Sequence, residues 1–314
     1  MKILCITPID NIKGAKENLE SIGDVTYFED ITKKILIIEL IKHKYDVIFT
    51  NPNRQNFKLD DIVLHNSSVK IICTASTGTN HIDKEYCEKN GINIISITTD
   101  YDILETITST AEMAFTLMMM SLRNIVPANQ SVINENWDCE PYIGRQVNKL
   151  TIGIIGYGRL GTMMASYCKS FGAEVLIYDP YKRTDEYYNI TNLNYLFSVC
   201  DVISLHVHVN EETKHMINKN VLNHAKENLI LVNTSRGEIV DEDDVYESLK
   251  SNILGKYATD VLEEEFGNMQ LSRIWRNRDE INKILIVPHI GGMTHDAREI
   301  AYNHAINKLK EYKK

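Results

Sequence analysis

The chain has 314 residues, 43% of them hydrophobic and 25% charged, and a formal net charge of −9. That length allows two domains with cores of their own, and the acidic balance argues against nucleic acid as a main partner. The six cysteines (Cys5, Cys73, Cys87, Cys139, Cys168, Cys200) form no C-x-x-C pair and no metal-ligand spacing, which fits a reduced cytoplasmic protein with buried or inert thiols and no metal.

Residues 1–6 read as a first strand, their apolar core being too short for a signal peptide. Strand-like runs at 2–7, 24–28, 47–50, 71–74 and 92–95 alternate with helical segments such as 33–42, an order that implies a parallel sheet. The loop after 47–50 carries Arg54, a candidate second cation for a phosphate or distal carboxylate; the plainer account is a solvated arginine. A helical pattern then covers 103–123, with Ser109-x-x-Glu112 at capping-box spacing. Its face of Met113, Leu117, Met118 and Met120 reads as packing between domains or subunits. No apolar run reaches the roughly 18 residues of a membrane span.

Residues 151–155 are a short apolar run rich in β-branched residues, as a strand buried on both faces requires. Gly156-Tyr157-Gly158-Arg159-Leu160-Gly161 follows, then a helix-compatible stretch over 162–170, then a second apolar run, 174–178, ending in Asp179. The glycines serve a tight turn, close approach of backbone to a pyrophosphate, and close helix packing. The pyrophosphate would sit at the positive end of the helix. Asp179 follows the last glycine by 18 residues, close to the roughly 20 expected of an acid that accepts from a ribose hydroxyl. Strand, turn, helix, strand and acid in this order point to NAD. Asp179 favours it over NADP, with Lys182 and Arg183 expected to point into solvent.

Further strands are expected at 201–206, 229–233, 255–260 and 284–287, six in all in this half. A last helix, about 295–312, packs back onto the first half. Three strand ends carry chemistry: Asn233-Thr234-Ser235-Arg236-Gly237, Asp260-Val261-Leu262-Glu263-Glu264-Glu265, and Pro288-His289-Ile290-Gly291-Gly292. Guanidinium, carboxylate and imidazole together suit a hydroxyl/carbonyl interconversion. The arginine grips a carboxylate or polarises a carbonyl, the histidine moves the proton, and the acid orients the imidazole. His206 and His208 alternate on a strand but lack a third metal ligand; His206 reads as lining an adenine pocket. Glu263 and Glu264 read as surface charge.

With those motifs, and with Ser76-Thr77-Gly78-Thr79-Asn80-His81-Ile82-Asp83 and Ala111-Glu112, the chain resembles the D-isomer-specific 2-hydroxyacid dehydrogenase family over nearly its full length, with a likeness to its phosphoglycerate-oxidising members. The resemblance implies two doubly wound α/β domains with a cleft between them. One is a flavodoxin-like substrate domain from residues 1–99 and 292–314, the other a Rossmann-type NAD domain from 100–291. It implies hydride exchange between NAD and C2 of a 2-hydroxy or 2-oxo acid, with 3-phosphoglycerate as a candidate. Arg236 binds the carboxylate and reacting oxygen, His289 is the acid/base, and Gly78 offers an N–H to the carboxylate. The family's glutamate stands 29 residues after its arginine and five after its aspartate, which selects Glu265. Cofactor contacts fall on Thr77, Gly156, Gly158, Arg159, Leu160, Gly161, Asp179, His206, Val207, Thr234, Ser235, Arg236, Asp260, His289 and Gly291. Pairing through the cofactor domain implies a homodimer. His208, in place of the family's frequent proline, and an acidic run without interleaved prolines bear on loop shape and so on substrate. An NADH-sensing binding protein on the same fold is the alternative.

Overall fold

The computed structural model describes residues 1–52, 57–279 and 282–312. The chain divides into two compact units, Met1–Ile107 with Gly292–Lys314, and Thr108–Gly291.

The first unit holds a parallel sheet of β1 (Lys2–Cys5), β2 (Asp24–Tyr27), β3 (Val47–Thr50), β4 (Ile71–Thr74) and β5 (Asn93–Ile95), in the order β2-β1-β3-β4-β5. The central strands are apolar throughout because both faces are covered. Ile3, Cys5, Val47, Phe49, Ile71 and Cys73 point to one side, where the helix His295–Tyr312 supplies Tyr302, Ala305, Ile306 and Leu309. Leu4, Ile48 and Ile72 point to the other, against Leu36 and Leu40 of the helix Lys33–Lys42. That helix starts at Thr32, whose hydroxyl accepts from the Ile35 N–H. Tyr302 Oη lies 2.7 Å from Thr7 Oγ1, tying the last helix to the loop after β1.

The second unit contains β6 (Thr151–Ile155), β7 (Glu174–Tyr178), β8 (Tyr188–Asn189), β9 (Val202–Leu205), β10 (Ile230–Asn233), β11 (Lys256–Thr259) and β12 (Ile284–Ile286), all parallel. Their order is β12-β11-β10-β9-β6-β7-β8, so the winding reverses between β6 and β9. A ligand crevice is expected outside the carboxyl ends at such a reversal.

Three expectations need correction. The sheet has a seventh strand, β8, whose two residues are exposed and polar at the edge and so leave no apolar run to see. The helical pattern over 103–123 is broken into Tyr101–Leu104 and Ser109–Leu122. Leu104 is buried in the first unit's core, and the contact division falls between Ile107 and Thr108. Ser109 is not a cap: Thr108 precedes the helix, and its hydroxyl bonds Glu112 Oε1 at 2.5 Å instead of a backbone N–H.

Leu117 and Met118 are fully buried against Ile152 and Ile154. Five thiols are buried, and burial pushes Cys5, Cys73, Cys87, Cys168 and Cys200 up, leaving them unreactive; Cys139 is exposed. Among the described residues no helix is long and apolar enough to cross a membrane.

Candidate functional site

The glycine turn sits at the reversal point, and each glycine meets a different surrounding. Gly156, at φ 90, would set a Cβ 2.5 Å from the His206 carbonyl oxygen and 2.7 Å from Val207 Cγ1, so the end of β6 rests on the end of β9. Gly161 would set one 1.9 Å from the Gly156 oxygen, so the helix Arg159–Ser170 touches the turn with no room for a side chain. Gly158 has nothing within 4 Å of its Cβ position. The same turn is thus closed on two sides and open on the third, where backbone N–H groups at a helix start can meet an anion.

Asp179 is oriented by three backbone donors: Tyr157 N–H at 2.7 Å, Tyr181 N–H at 2.8 Å and Lys182 N–H at 2.9 Å. A carboxylate accepts about four hydrogen bonds, which leaves room for a hydroxyl. Lys182 and Arg183 are both exposed, and the Lys182 ammonium also lies 5.1 Å from the centre of the Tyr157 ring.

His206 and Thr234 follow Leu205 and Asn233, which are paired across β9 and β10, so they stand side by side at the strand ends. His206 Nε2 is 2.9 Å from Ser204 Oγ, while its Nδ1 and the Thr234 hydroxyl are buried with no partner among the described residues. Burial pushes the His206 imidazole down to about 4, so it is neutral near pH 7. A buried polar atom left unmet costs about 1–3 kcal/mol, and a polar ligand at the reversal point would meet both.

The three strand-end loops carry the remaining groups. After β10, Asn233 is fully buried; it receives the Ser235 N–H at 3.0 Å and donates to the Arg236 carbonyl at 2.9 Å, shaping the turn from inside. Ser235 Oγ donates to the Leu205 carbonyl at 2.6 Å, binding this turn to β9. The Arg236 guanidinium is half-buried and, among the described residues, donates to the Ser235 carbonyl at 2.6 Å.

After β12, His289 adopts φ 52, a left-handed backbone that costs a side-chain-bearing residue on the order of 1 kcal/mol. Asp260, 2% exposed, holds it there: its two oxygens accept the Ile290 N–H at 2.6 Å and the Gly291 N–H at 2.7 Å. Burial pushes the Asp260 carboxyl up to about 6, against the pull of His289 and those two N–H groups. His289 Nδ1 is 3.0 Å from both Glu265 oxygens. A carboxylate can only accept, so Nδ1 carries the hydrogen and Nε2 is the basic nitrogen of the neutral ring. Phe266 packs beside the ring, 6.5 Å between centres.

The second unit therefore brings Arg236, Asp260, Glu265 and His289 together. Burial raises the Glu238 carboxyl, and Glu265, Arg236 and Glu263 all act on it, so these groups share one field. Thr77 and Gly78 belong to the first unit, in the loop after β4, where Ser76 Oγ donates to the Gly78 carbonyl at 2.5 Å and Thr98 Oγ1 to the Thr77 carbonyl at 2.7 Å. Arg54 lies outside the described residues. Glu263 is not surface charge, because its Oε1 meets His215 Nε2 at 2.8 Å. The backbone contact at Gly237 was also unforeseen: a Cβ there would lie 2.0 Å from the Glu263 nitrogen. A glycine directly after a strand-end arginine is the one sequence signal that hinted at it.

Residues 115–291 match the D-isomer specific 2-hydroxyacid dehydrogenase, NAD binding domain. The chain is 30% identical to a D-3-phosphoglycerate dehydrogenase of Methanocaldococcus jannaschii over 99% of its own length and 57% of that protein's. It thus spans about half the length of the phosphoglycerate dehydrogenases it matches. It is 32% identical to a hydroxypyruvate reductase of Thermotoga maritima over 79% of each chain. Among solved structures it resembles a D-lactate dehydrogenase of Aquifex aeolicus, complexed with NAD and lactic acid, at a TM-score of 0.78 and 27% identity, covering 99% of this chain and 95% of that one.

Proposed function

This chain belongs to the D-isomer specific 2-hydroxyacid dehydrogenase family, and on that premise we propose that it exchanges a hydride between NAD(H) and C2 of a D-2-hydroxy or 2-oxo acid. The observation that carries the reading is the His289–Glu265 pair at 3.0 Å, on strand ends of the same sheet whose reversal point holds the glycine turn.

The residues fit the cofactor. The open side of Gly158 and the helix start at Arg159 and Leu160 would take the pyrophosphate, with Gly156 and Gly161 fixing the turn. Asp179 would accept from a ribose hydroxyl, and His206, Val207 and Thr234 would line the pocket with their unmet polar atoms turned to it. Ser235, Asp260 and Gly291 would border the nicotinamide. When bound, NAD(H) supplies or accepts the hydride.

The protein's part is to bind, orient and move a proton. Arg236 grips the substrate carboxylate and its reacting oxygen through a planar fork of donors. His289 takes the hydroxyl proton on Nε2 during oxidation and returns it during reduction. Glu265 fixes the ring through Nδ1 and supports the charge that forms on it.

The substrate class is read one step further: Arg54, if it supplies a second cation, selects a phosphorylated or dicarboxylic acid. We place the enzyme in the cytoplasm as a homodimer. Exposed Ile133, Trp137 and Ile143 of the second unit support the pairing, Trp137 being 90% exposed. Sedimentation at micromolar concentration reading twice the chain mass is the expected result.

The deciding experiment follows NADH absorbance with phosphohydroxypyruvate, hydroxypyruvate, glyoxylate and pyruvate. Turnover of at least one acid, lost in Arg236→Ala, is expected. No turnover with any of them, alongside tight NADH binding, would overturn the enzymatic reading. Equal kcat/KM for phosphorylated and plain acids would remove Arg54 from the substrate site.

A further inference from the structure

A second imidazole–carboxylate pair stands next to the first. His215 Nε2 lies 2.8 Å from Glu263 Oε1, both side chains being partly buried, two residues before Glu265. An isolated surface ion pair contributes little, but this one joins three segments that each carry a site residue.

His215 belongs to the loop that follows His206. Its backbone sits at φ 48, and its N–H donates to the Glu238 carbonyl at 2.8 Å; the Asp241 N–H donates to the Ile217 carbonyl at 2.9 Å. The loop is thereby fastened to the turn of Arg236. From the other side, buried Glu242 accepts the Glu263 N–H on Oε1 at 3.0 Å. Glu263 is thus held by its main chain on Glu242 and by its side chain on His215, while the Gly237 backbone abuts it. Among the described residues the Glu263 side chain makes its hydrogen bond and ion pair with His215.

We propose that His215 and Glu263 are a positioning pair for the reaction: they fix the segment 260–265 so that Glu265 reaches His289 while the turn that carries Arg236 stays packed against that segment. The proposal rests on the dehydrogenase reading, and one of its two measurements does not need activity. His289 faces Glu265 and Asp260, whereas His215 faces Glu263, so the two pairs can be perturbed separately.

The test uses the full chain as Glu263→Ala, Glu263→Gln, His215→Ala, His215→Gln and the double alanine variant. Steady-state kinetics with NADH and the acid that the wild type reduces are combined with the proton NMR resonance of the His289 Nδ1–H. Glu263→Ala and His215→Ala should each lower kcat roughly 10- to 100-fold, the cost of a misplacement near 1 Å. KM for NADH should hold, and the resonance should move. Glu263→Gln keeps an acceptor and His215→Gln keeps a donor, so both should lose less; the double variant should be no worse than either single one. If Glu263→Ala fails to fold, the graded loss between His215→Ala and His215→Gln decides instead. An unmoved resonance, losses that follow only a lower melting temperature, or additive losses in the double variant would overturn the proposal. A wild type that turns over no acid would sink the dehydrogenase reading instead, and the resonance would still judge the pair.

Discussion

Replacing Gly237 by alanine tests whether the site is set by backbone contact. The added Cβ would lie 2.0 Å from both the Glu263 nitrogen and the Leu262 carbonyl carbon, and 2.5 Å from the Leu262 oxygen. Ordinary contact begins at 3.4 Å, so the turn and the acidic segment must part by about 1.4 Å. Neither neighbour is a flexible side chain that can swing away. Gly237 does not sit in the left-handed region, so the whole effect is steric. Overpacking of this kind costs about 1–3 kcal/mol in stability, which for a unit of this size is a fall of roughly 2–12 °C in Tm. Activity should suffer more, because Arg236 precedes the glycine and Glu265 follows the contact by two residues. A shift near 1 Å costs on the order of 100-fold in kcat/KM. The assay is NADH oxidation with a 2-oxo acid, normalised to folded protein by circular dichroism, with NADH affinity measured separately by fluorescence. Affinity should stay close to wild type, since the glycine turn at Gly156 is elsewhere. A variant within twofold of wild-type kcat/KM, or one whose loss lies wholly in NADH affinity, would refute the reasoning.

Gly158→Ala and Gly161→Ala should separate ligand from fold: the first keeps Tm and weakens NADH binding, while the second loses Tm because its Cβ would strike the Gly156 oxygen at 1.9 Å. Equal Tm losses in calorimetry would contradict this. His289→Ala should cut turnover by about 10²–10⁴ while leaving NADH binding near normal; a small loss in single-turnover rates would remove His289 as the acid/base. His206, pushed down to about 4 by burial, stays neutral in the fold where the unfolded chain takes a proton below about 6.5. Stability should therefore fall as pH drops from about 6.5 to about 4, and His206→Gln should flatten that slope; parallel slopes in urea titrations would count against it. With Asp179 accepting three backbone N–H groups at its ribose end, NADH should be preferred over NADPH in kcat/KM, and the reverse preference would show that Lys182 dominates the pocket.

The sequence was most legible where one physical signal sufficed. Strands such as Val47–Thr50, Ile71–Thr74 and Thr151–Ile155 are buried on both faces, so an unbroken apolar run marks their ends. The helices Lys33–Lys42 and His295–Tyr312 stand where helical segments were expected, the first behind a Thr32 cap that the structure reveals and the second with Tyr302, Ala305, Ile306 and Leu309 spaced to cover the sheet. The break at 105–108 was hidden because helical spacing continues across it; Leu104 and Ile107 turn to the first unit, a tertiary fact with no local trace. The glycine turn was readable because strand, turn and acid are contiguous. Glu265 was picked from three neighbouring glutamates by family spacing alone, and its pairing with His289 crosses 24 residues. The partner of Glu263 lies 48 residues away, on a loop with no pattern of its own, and Asp260 gave no sign that it clamps the turn of His289.

The first unit also has an order of events written into it. Its core includes Ala305, Ile306 and Leu309, at most 1% exposed, beside Ile3, Phe49 and Cys73 from the other end of the sequence. Thr7 and Tyr302, 295 positions apart, share a hydrogen bond. During synthesis the strands β1, β3 and β4 therefore emerge early but lack the helix that covers one face. The second unit, contiguous from Thr108 to Gly291, can close before that helix leaves the ribosome. The early sheet must wait with an apolar face open to water, the state in which chains associate wrongly or are bound by chaperones. Slowing translation after residue 291 would lengthen that wait, and shortening the last helix would leave the face uncovered in the finished protein.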